Sequence, residues 1–188
     1  MQRFQRSAPF APAPRTAPPV DDRSGPPLSG GSILKLLATV ASEHLDPDTL
    51  ATLDQVDPDA WLDGQHLETL LNRLEDRDPS LPHQVGRLVH LMMRSELRKL
   101  SGTPRGVLEG CPALWMQVTR GDTGVWRTTI LDDRRARIEM EQPFNCRFEE
   151  GGVFGLLEVY DAIDIVIDHQ ACMRNGAPFC ALDVRWAE

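Results

Sequence analysis

The sequence predicts an α+β fold, with N-terminal helices packed on a small antiparallel sheet that one further helix crosses. Three observations predict it. Residues 32–100 carry apolar side chains at helical spacing, interrupted by prolines. Residues 125–141 and 163–186 alternate apolar with polar side chains, the period of half-buried strands. The stretch between them, from Val153 to Tyr160, returns to a helical period.

Residues 1–31 hold seven of the 15 prolines, four Arg and two Asp, with few large apolar side chains. Such a segment buries too little surface to offset its ordering entropy, and it reads as a disordered Pro-rich tail. Residues 32–188 then form a single domain, with a helical part over 32–100 and a sheet part over 107–188. Ser32 caps a run whose buried face is Ile33, Leu36, Leu37 and Val40. Asp46-Pro47 and Asp57-Pro58 each place a capping residue before a proline suited to the first helical position. A helix is expected from Pro58, carrying Trp61, Leu62, Leu67, Leu70, Leu71 and Leu74, with Gly64 weakening its middle. The strongest amphipathic pattern runs from Pro82 to Leu100 through Val85, Leu88, Val89, Met92 and Leu97. Ser101–Gly106 is a loop, and Pro112 opens a short helix with Leu114, Trp115 and Val118.

Val125–Leu131 and Arg135–Glu141 flank an Asp132-Asp133-Arg134 turn, which predicts a hairpin. Arg135, Arg137, Glu139 and Glu141 fall on one face of its second strand, and Ala136, Ile138 and Met140 on the other. A helix follows Gly151-Gly152. Ile163, Ile165 and Ile167 form one face of a strand, Asn175-Gly176 is a turn, and Phe179–Trp186 is a last strand.

The chain has 20 Lys and Arg against 28 Asp and Glu, a formal charge of −8. General binding to a nucleic-acid backbone needs surplus cations, so that class is excluded. No apolar run reaches the roughly 20 residues of a membrane span, and the N-terminus lacks the apolar core of a secretory signal. The cytoplasm is the expected compartment, and there the four cysteines are thiols or metal ligands rather than disulfides.

Cys172 and Cys180 flank the Asn175-Gly176 turn, Cys146 lies 26 residues before Cys172, and His169 lies three before it. If the Ile163 strand pairs with the segment around Cys146, the four converge. Three thiolates and one imidazole form a closed tetrahedral zinc set, which is structural because no open position remains to activate water. By spacing alone the alternative stands that these cysteines pack as small apolar residues. Cys111, before Pro112, lies outside the set as a core or loop thiol.

From Leu108 to Trp186 the chain resembles the 4-vinyl reductase type of ligand-sensing domain, part of a wider group with the haem nitric-oxide-binding domain and TRAPP subunits. The resemblance is carried by Cys172-Met173-Arg174-Asn175-Gly176-Ala177-Pro178-Phe179-Cys180 and the alternating strand that ends in Arg185-Trp186. It implies structural zinc on Cys146, Cys172 and Cys180. The fourth ligand, acidic in relatives, falls at or beside His169, with Asp168 next to it.

The resemblance also implies a pocket for a small apolar ligand between helices and sheet, for which Trp115, Trp126, Phe144, Phe148, Phe154 and Tyr160 are available. The competing reading is that these aromatics fill the core. The residues that hold phenols in the family's aromatic sensors have no counterparts here. His83 and His90, on the Pro82 helix, are read as packed or surface histidines rather than haem ligands. Glu149-Glu150 and Asp132-Asp133 read as solvated turns.

No nucleophile elbow, phosphate loop or dinucleotide fingerprint occurs in the sequence. The expectation is a non-enzymatic sensor or adaptor acting through a protein partner or a homodimer. The alternatives are an interaction module without ligand, and an accessory subunit of tetrapyrrole or aromatic metabolism.

Overall fold

The computed structural model describes residues 4–187. Their order is β1 (Pro14–Arg15), β2 (Leu28–Gly30), α1 (Gly31–Val40), α2 (Pro47–Asp54), β3 (Trp61–Asp63), α3 (Gly64–Arg77), α4 (Leu81–Met92), α5 (Arg94–Leu97), α6 (Pro104–Val118), β4 (Thr119–Arg120), β5 (Val125–Asp132), β6 (Arg135–Glu141), α7 (Cys146–Val159), β7 (Ile163–Ala171) and β8 (Cys180–Ala187). This is the α+β class, with two small antiparallel sheets.

The main sheet has the order β5-β6-β8-β7. The hairpin stands where the turn signal puts it, with Thr128 opposite Ile138 and Ile130 opposite Ala136. Ala136, Ile138 and Met140 are buried and the Arg/Glu face is not. Because β6 pairs with β8, Ile138 meets Leu182 and Met140 meets Cys180. Helices α6 and α7 cover this inner face, and a second apolar cluster lies among α1–α4.

Several boundaries differ from the sequence reading. Trp61–Asp63 is a strand, not the start of a helix, because Asp63 caps α3 by accepting the Gln65 N–H at 3.0 Å. The helix expected at Pro112 starts at Pro104 behind a Thr103 cap and runs through Pro112. α1 starts at Gly31, with Gly30 rather than Ser32 at the cap. The Pro82 pattern breaks at Met93 into α4 and α5. Gly151-Gly152 lies inside α7, whose first residue is Cys146.

The disordered tail is corrected for residues 4–31. β2 pairs with β3 and β4, β1 pairs with β3 at the sheet edge, and Leu28 and Ser29 are buried. Few apolar residues suffice because each has a site: Phe4 packs on Phe144 at 5.2 Å and Phe10 on His66 at 5.6 Å. Extended, proline-rich backbone suits an edge strand, where no ladder N–H is demanded of it.

The two clusters are joined by α4 against α7. A Cβ added at Gly86 would lie 2.1 Å from the Phe148 carbonyl oxygen, one at Gly151 1.9 Å from the His83 oxygen, and one at Gly155 2.5 Å from the Arg87 oxygen. The helices therefore meet backbone to backbone, and the Arg87–Glu158 pair clamps the same seam with bonds of 2.5 and 2.7 Å. Gly86→Ala should cost about 1–3 kcal/mol through overpacking. Gly110→Ala, in α6 with nothing within 4 Å, should instead stabilise by up to about 1 kcal/mol. Urea unfolding of the two variants checks the opposite signs.

Candidate functional site

Asn145 caps α7 by accepting the N–H groups of Arg147 at 3.0 Å and Phe148 at 3.4 Å, which fixes Cys146 in the first turn. β7 brings His169 on its inward face and ends just before Cys172. The turn then closes at Gly176, whose φ of 92° is open to glycine, and Cys180 starts β8. The ligand atoms of Cys146, His169, Cys172 and Cys180 all lie within 4.8 Å of one another. Cys146 Sγ and Cys172 Sγ are 3.4 Å apart, and the Met173 N–H donates to Cys180 Sγ at 3.3 Å.

The convergence expected from sequence occurs by another route. β7 pairs with β8, and Cys146 arrives from the helix rather than from a neighbouring strand. Asp168 stands on the opposite, exposed face of β7, bonded to Gln170 at 2.7 Å, so it is outside the cluster.

Glu150 completes the arrangement. Its Oε2 lies 3.0 Å from His169 Nδ1, while His169 Nε2 is buried with no partner among the described residues. A carboxylate on one ring nitrogen fixes the tautomer and leaves the lone pair of the other free for a metal. The Glu150 bond raises the His169 pKa against the effect of burial. Burial would raise Glu150, but the His169 bond and the Arg147 charge hold it below the usual carboxylate value. Interaction with Cys180, then burial, pushes the Cys146 thiol up, and the same interaction holds Cys180 down. These donors fit a thiophilic ion such as zinc.

Arg174, in the turn, reaches back to α3. Its Nη1 donates to both oxygens of Glu75 at 2.8 Å and its Nη2 to Glu68 Oε1 at 3.2 Å. Sequence reasoning missed Glu150 and Arg174. It read Glu149-Glu150 as a solvated turn, yet both are buried. The signal available was Asn145: once it caps a helix, the pair falls in that helix's first turns.

A narrow cavity of about 110 Å³ lies between the helical half and the sheet. Trp115, Trp126, Phe144 and Phe148 line it. Trp115 stacks on Trp126 at 5.3 Å and meets Phe144 edge-on at 5.7 Å. Phe154 and Tyr160, expected there too, are elsewhere: Phe154 packs on His83 at 5.8 Å, and the Tyr160 hydroxyl donates to the Leu97 carbonyl. Their helical phase on α7 faces α4 and α5 instead.

Cys111 and Glu149 also line the cavity. Burial, then Glu149, pushes the Cys111 thiol up to about 12, which makes it a poor nucleophile. Burial, then Glu68, pushes the Glu149 carboxyl up to about 8. Burial likewise raises Glu68 to about 7 despite Arg174.

No family model and no curated protein matches the sequence. Solved structures do match the fold, which is that of the H-NOX domains. An H-NOX protein from S. oneidensis in the Fe(II)NO state aligns over 85% of this chain and 99% of its own, with a TM-score of 0.66 at 14% identity. An oxygen-binding H-NOX domain related to soluble guanylate cyclases aligns over 84% and 91%, with a TM-score of 0.59 at 12% identity.

Haem, the subject of a further matching structure, does not fit this cavity between the helical half and the sheet. Cofactor-sized ligands occupy about 300–1,000 Å³, and the cavity offers about 110 Å³. The one histidine lining it, His90, is fixed by Nδ1 on the Gly86 carbonyl at 2.8 Å, with its ring against Gly152.

The raised carboxyls set a pH dependence. Between pH 4.5 and about 8 the unfolded chain ionises Glu149 while the folded chain keeps it protonated. The folded state then binds more protons, so stability falls as pH rises, by up to about 1.4 kcal/mol per pH unit for such a group. Urea unfolding across that range should show the decline, and Glu149→Gln should reduce it to the part that Glu68 contributes below about pH 7.

Proposed function

We propose that the chain is a non-enzymatic sensor or adaptor domain of the 4-vinyl reductase type, with one structural zinc ion on Cys146, His169, Cys172 and Cys180. The observation that carries this is the convergence of four donor atoms within 4.8 Å, with the His169 ring oriented by Glu150 and its second nitrogen unpartnered. Four protein ligands close the coordination sphere, so zinc supplies folding free energy rather than a reactive water. It pins the start of α7, the end of β7 and the start of β8, and holds the turn from which Arg174 grips α3. A site of three thiolate ligands suits the reducing cytoplasm, where cysteines more often serve as ligands than as disulfides.

The sensing half of the reading rests on the cavity between the helices and the sheet, and its output passes to a protein partner or a second copy of the chain. A second reading keeps the zinc and binds no ligand, as a structural interaction module. The small cavity volume favours it. The same volume counts against a role with tetrapyrroles.

Native mass spectrometry of the purified chain should give one zinc per chain. Cys172→Ser should lose it and cost more than about 2 kcal/mol in stability, the range in which loss of a metal ligand falls. A protein that purifies metal-free and is equally stable with and without added zinc contradicts the reading.

A further inference from the structure

The main sheet ends at β7 with an open edge. β7 is nine residues long and pairs with β8 alone. Among the described residues no backbone hydrogen bond joins its other side to anything. Its sequence, IDIVIDHQA, contains neither Lys nor Pro, the residues that commonly guard an edge. Ile163 on it is 56% exposed and Val166 42%. The register shifts lie toward its two ends, between Ile163 and Val166 and between His169 and Ala171, so the run from Val166 to His169 stays regular. An edge of this kind is a template for a further strand.

The outer face beside this edge holds two charges that the sheet itself leaves unmatched. Asp168 stands directly opposite Asp183, and Arg185 directly opposite Arg135. Like charges opposite one another on a ladder are destabilising. In each pair one member is matched within the chain, Asp183 by Arg137 at 3.1 Å and Arg135 by Asp132 at 4.0 Å. The other member is not. Among the described residues Asp168 bonds only to Gln170, and Arg185 has no ion pair. Both are exposed. β5, the opposite edge, carries no such surplus, because Arg127 pairs with Glu141 at 2.8 Å and Asp132 with Arg135.

We propose that β7 pairs antiparallel with β7 of a second copy of this chain, continuing the sheet across a two-fold axis at Ile167. The charges select that register. Side chains opposite one another share a face, so the axis passes through a residue. An axis at Asp168 sets that acid against its own copy, and an axis at Val166 sets it against Asp164. An axis at Ile167, the midpoint of the strand, pairs its full length and sets Asp168 opposite Val166 and Ile163 opposite Ala171. Arg185 of the second copy then lies one strand beyond that Val166, its neighbour in the register, and about 10 Å from Asp168 at ordinary strand spacing. Its stem crosses the short Val166 side chain and its guanidinium meets the carboxylate. The two-fold repeats this pair, so each unmatched charge finds its opposite. The proposal names the second copy that the reading above allows as output partner. It rests on that reading for the role of the dimer and not for its existence.

The test is sedimentation of the full chain from micromolar to submillimolar concentration. A single edge contact is small, and the dimer should dissociate in the micromolar range. Asp168→Arg and Arg185→Asp should each weaken it at least about tenfold, because like charges then meet across the axis. The two together should restore it, since the pair is re-formed with its signs exchanged. Neither change should lower stability in urea unfolding of the monomer, because each puts an opposite charge beside Asp183 or Arg135. A chain that stays monomeric throughout overturns the proposal. So does a dimer indifferent to both reversals, which uses another face, and a double variant that stays as weak as the single ones, which excludes this register. Zinc measured on the same samples separates the two readings. One zinc per chain in a strict monomer sinks this inference alone, and a charge-swap rescue in a metal-free chain sinks the metal reading alone.

Discussion

The contact on which the rest of the structure depends is the backbone approach of α4 to α7. Gly86, Gly151 and Gly155 each face a carbonyl of the opposite helix with no room for a Cβ. α4 belongs to the helical half and α7 covers the main sheet, so this seam holds one half on the other. It also sets the height of α7 above the sheet. With bulkier residues at the seam the helices would separate by more than the seam now allows, and both the cluster at the start of α7 and the cavity beside it would lose their geometry.

α7 serves two sites through its helical period. Cys146 and Glu150 are one turn apart and point to the four-donor cluster, one as a member and the other as the group that orients His169. Phe148, Glu149 and Leu156 point to the cavity. The two sites therefore share one rigid element without sharing a side chain. The charges are divided in the same way. Glu150 is compensated by Arg147 and His169, whereas Glu149 has an apolar cavity before it and is kept protonated by burial. Two adjacent acids thus occupy opposite protonation states because consecutive helical positions lie about 100° apart.

How much of this was legible in the sequence follows from where each signal is stored. The hairpin, the last strand and the four-donor set could be read because turn residues and alternation are local, and because Cys172, Cys180 and His169 sit on that local frame. The route by which Cys146 joins them was not legible. It depends on the helix starting at Asn145 rather than after Gly151-Gly152, and the glycines read as a break when they are a packing seam. The ordered path of residues 4–31 was hidden for a related reason. Its composition is that of a disordered tail, but Leu28–Gly30 has β3 and β4 to pair with, and Phe4 has Phe144. Composition counts apolar residues and does not say whether each has a partner. Two of the six aromatics assigned to the pocket missed it because residue type alone does not fix helical phase.

Arg174 shows why the four-donor cluster matters beyond its own strands. The residue lies two positions after Cys172, in a turn that has little apolar burial of its own. Yet it carries three connections to α3, through Glu75, Glu68 and Asn72. An Arg fork is worth its geometry only if its backbone stays put, since ordering a long side chain costs about 2 kcal/mol of rotamer entropy. The backbone of this turn is held by Cys172 on one side and Cys180 on the other. Without a link between those thiols and Cys146, the turn would have to order itself for the sake of one guanidinium. With it, the turn is fixed in advance and Arg174 can neutralise Glu68, an acid that burial otherwise pushes toward its protonated form. Glu68 in turn is the group whose charge acts on Glu149 across the domain. Arg174 thus ties the turn between Cys172 and Cys180 to Glu68, whose charge adds to the effect of burial on the Glu149 carboxyl. Arg174 is the cation that Glu68 has among its hydrogen-bond partners in the described residues, so displacing the turn would leave that buried acid without it.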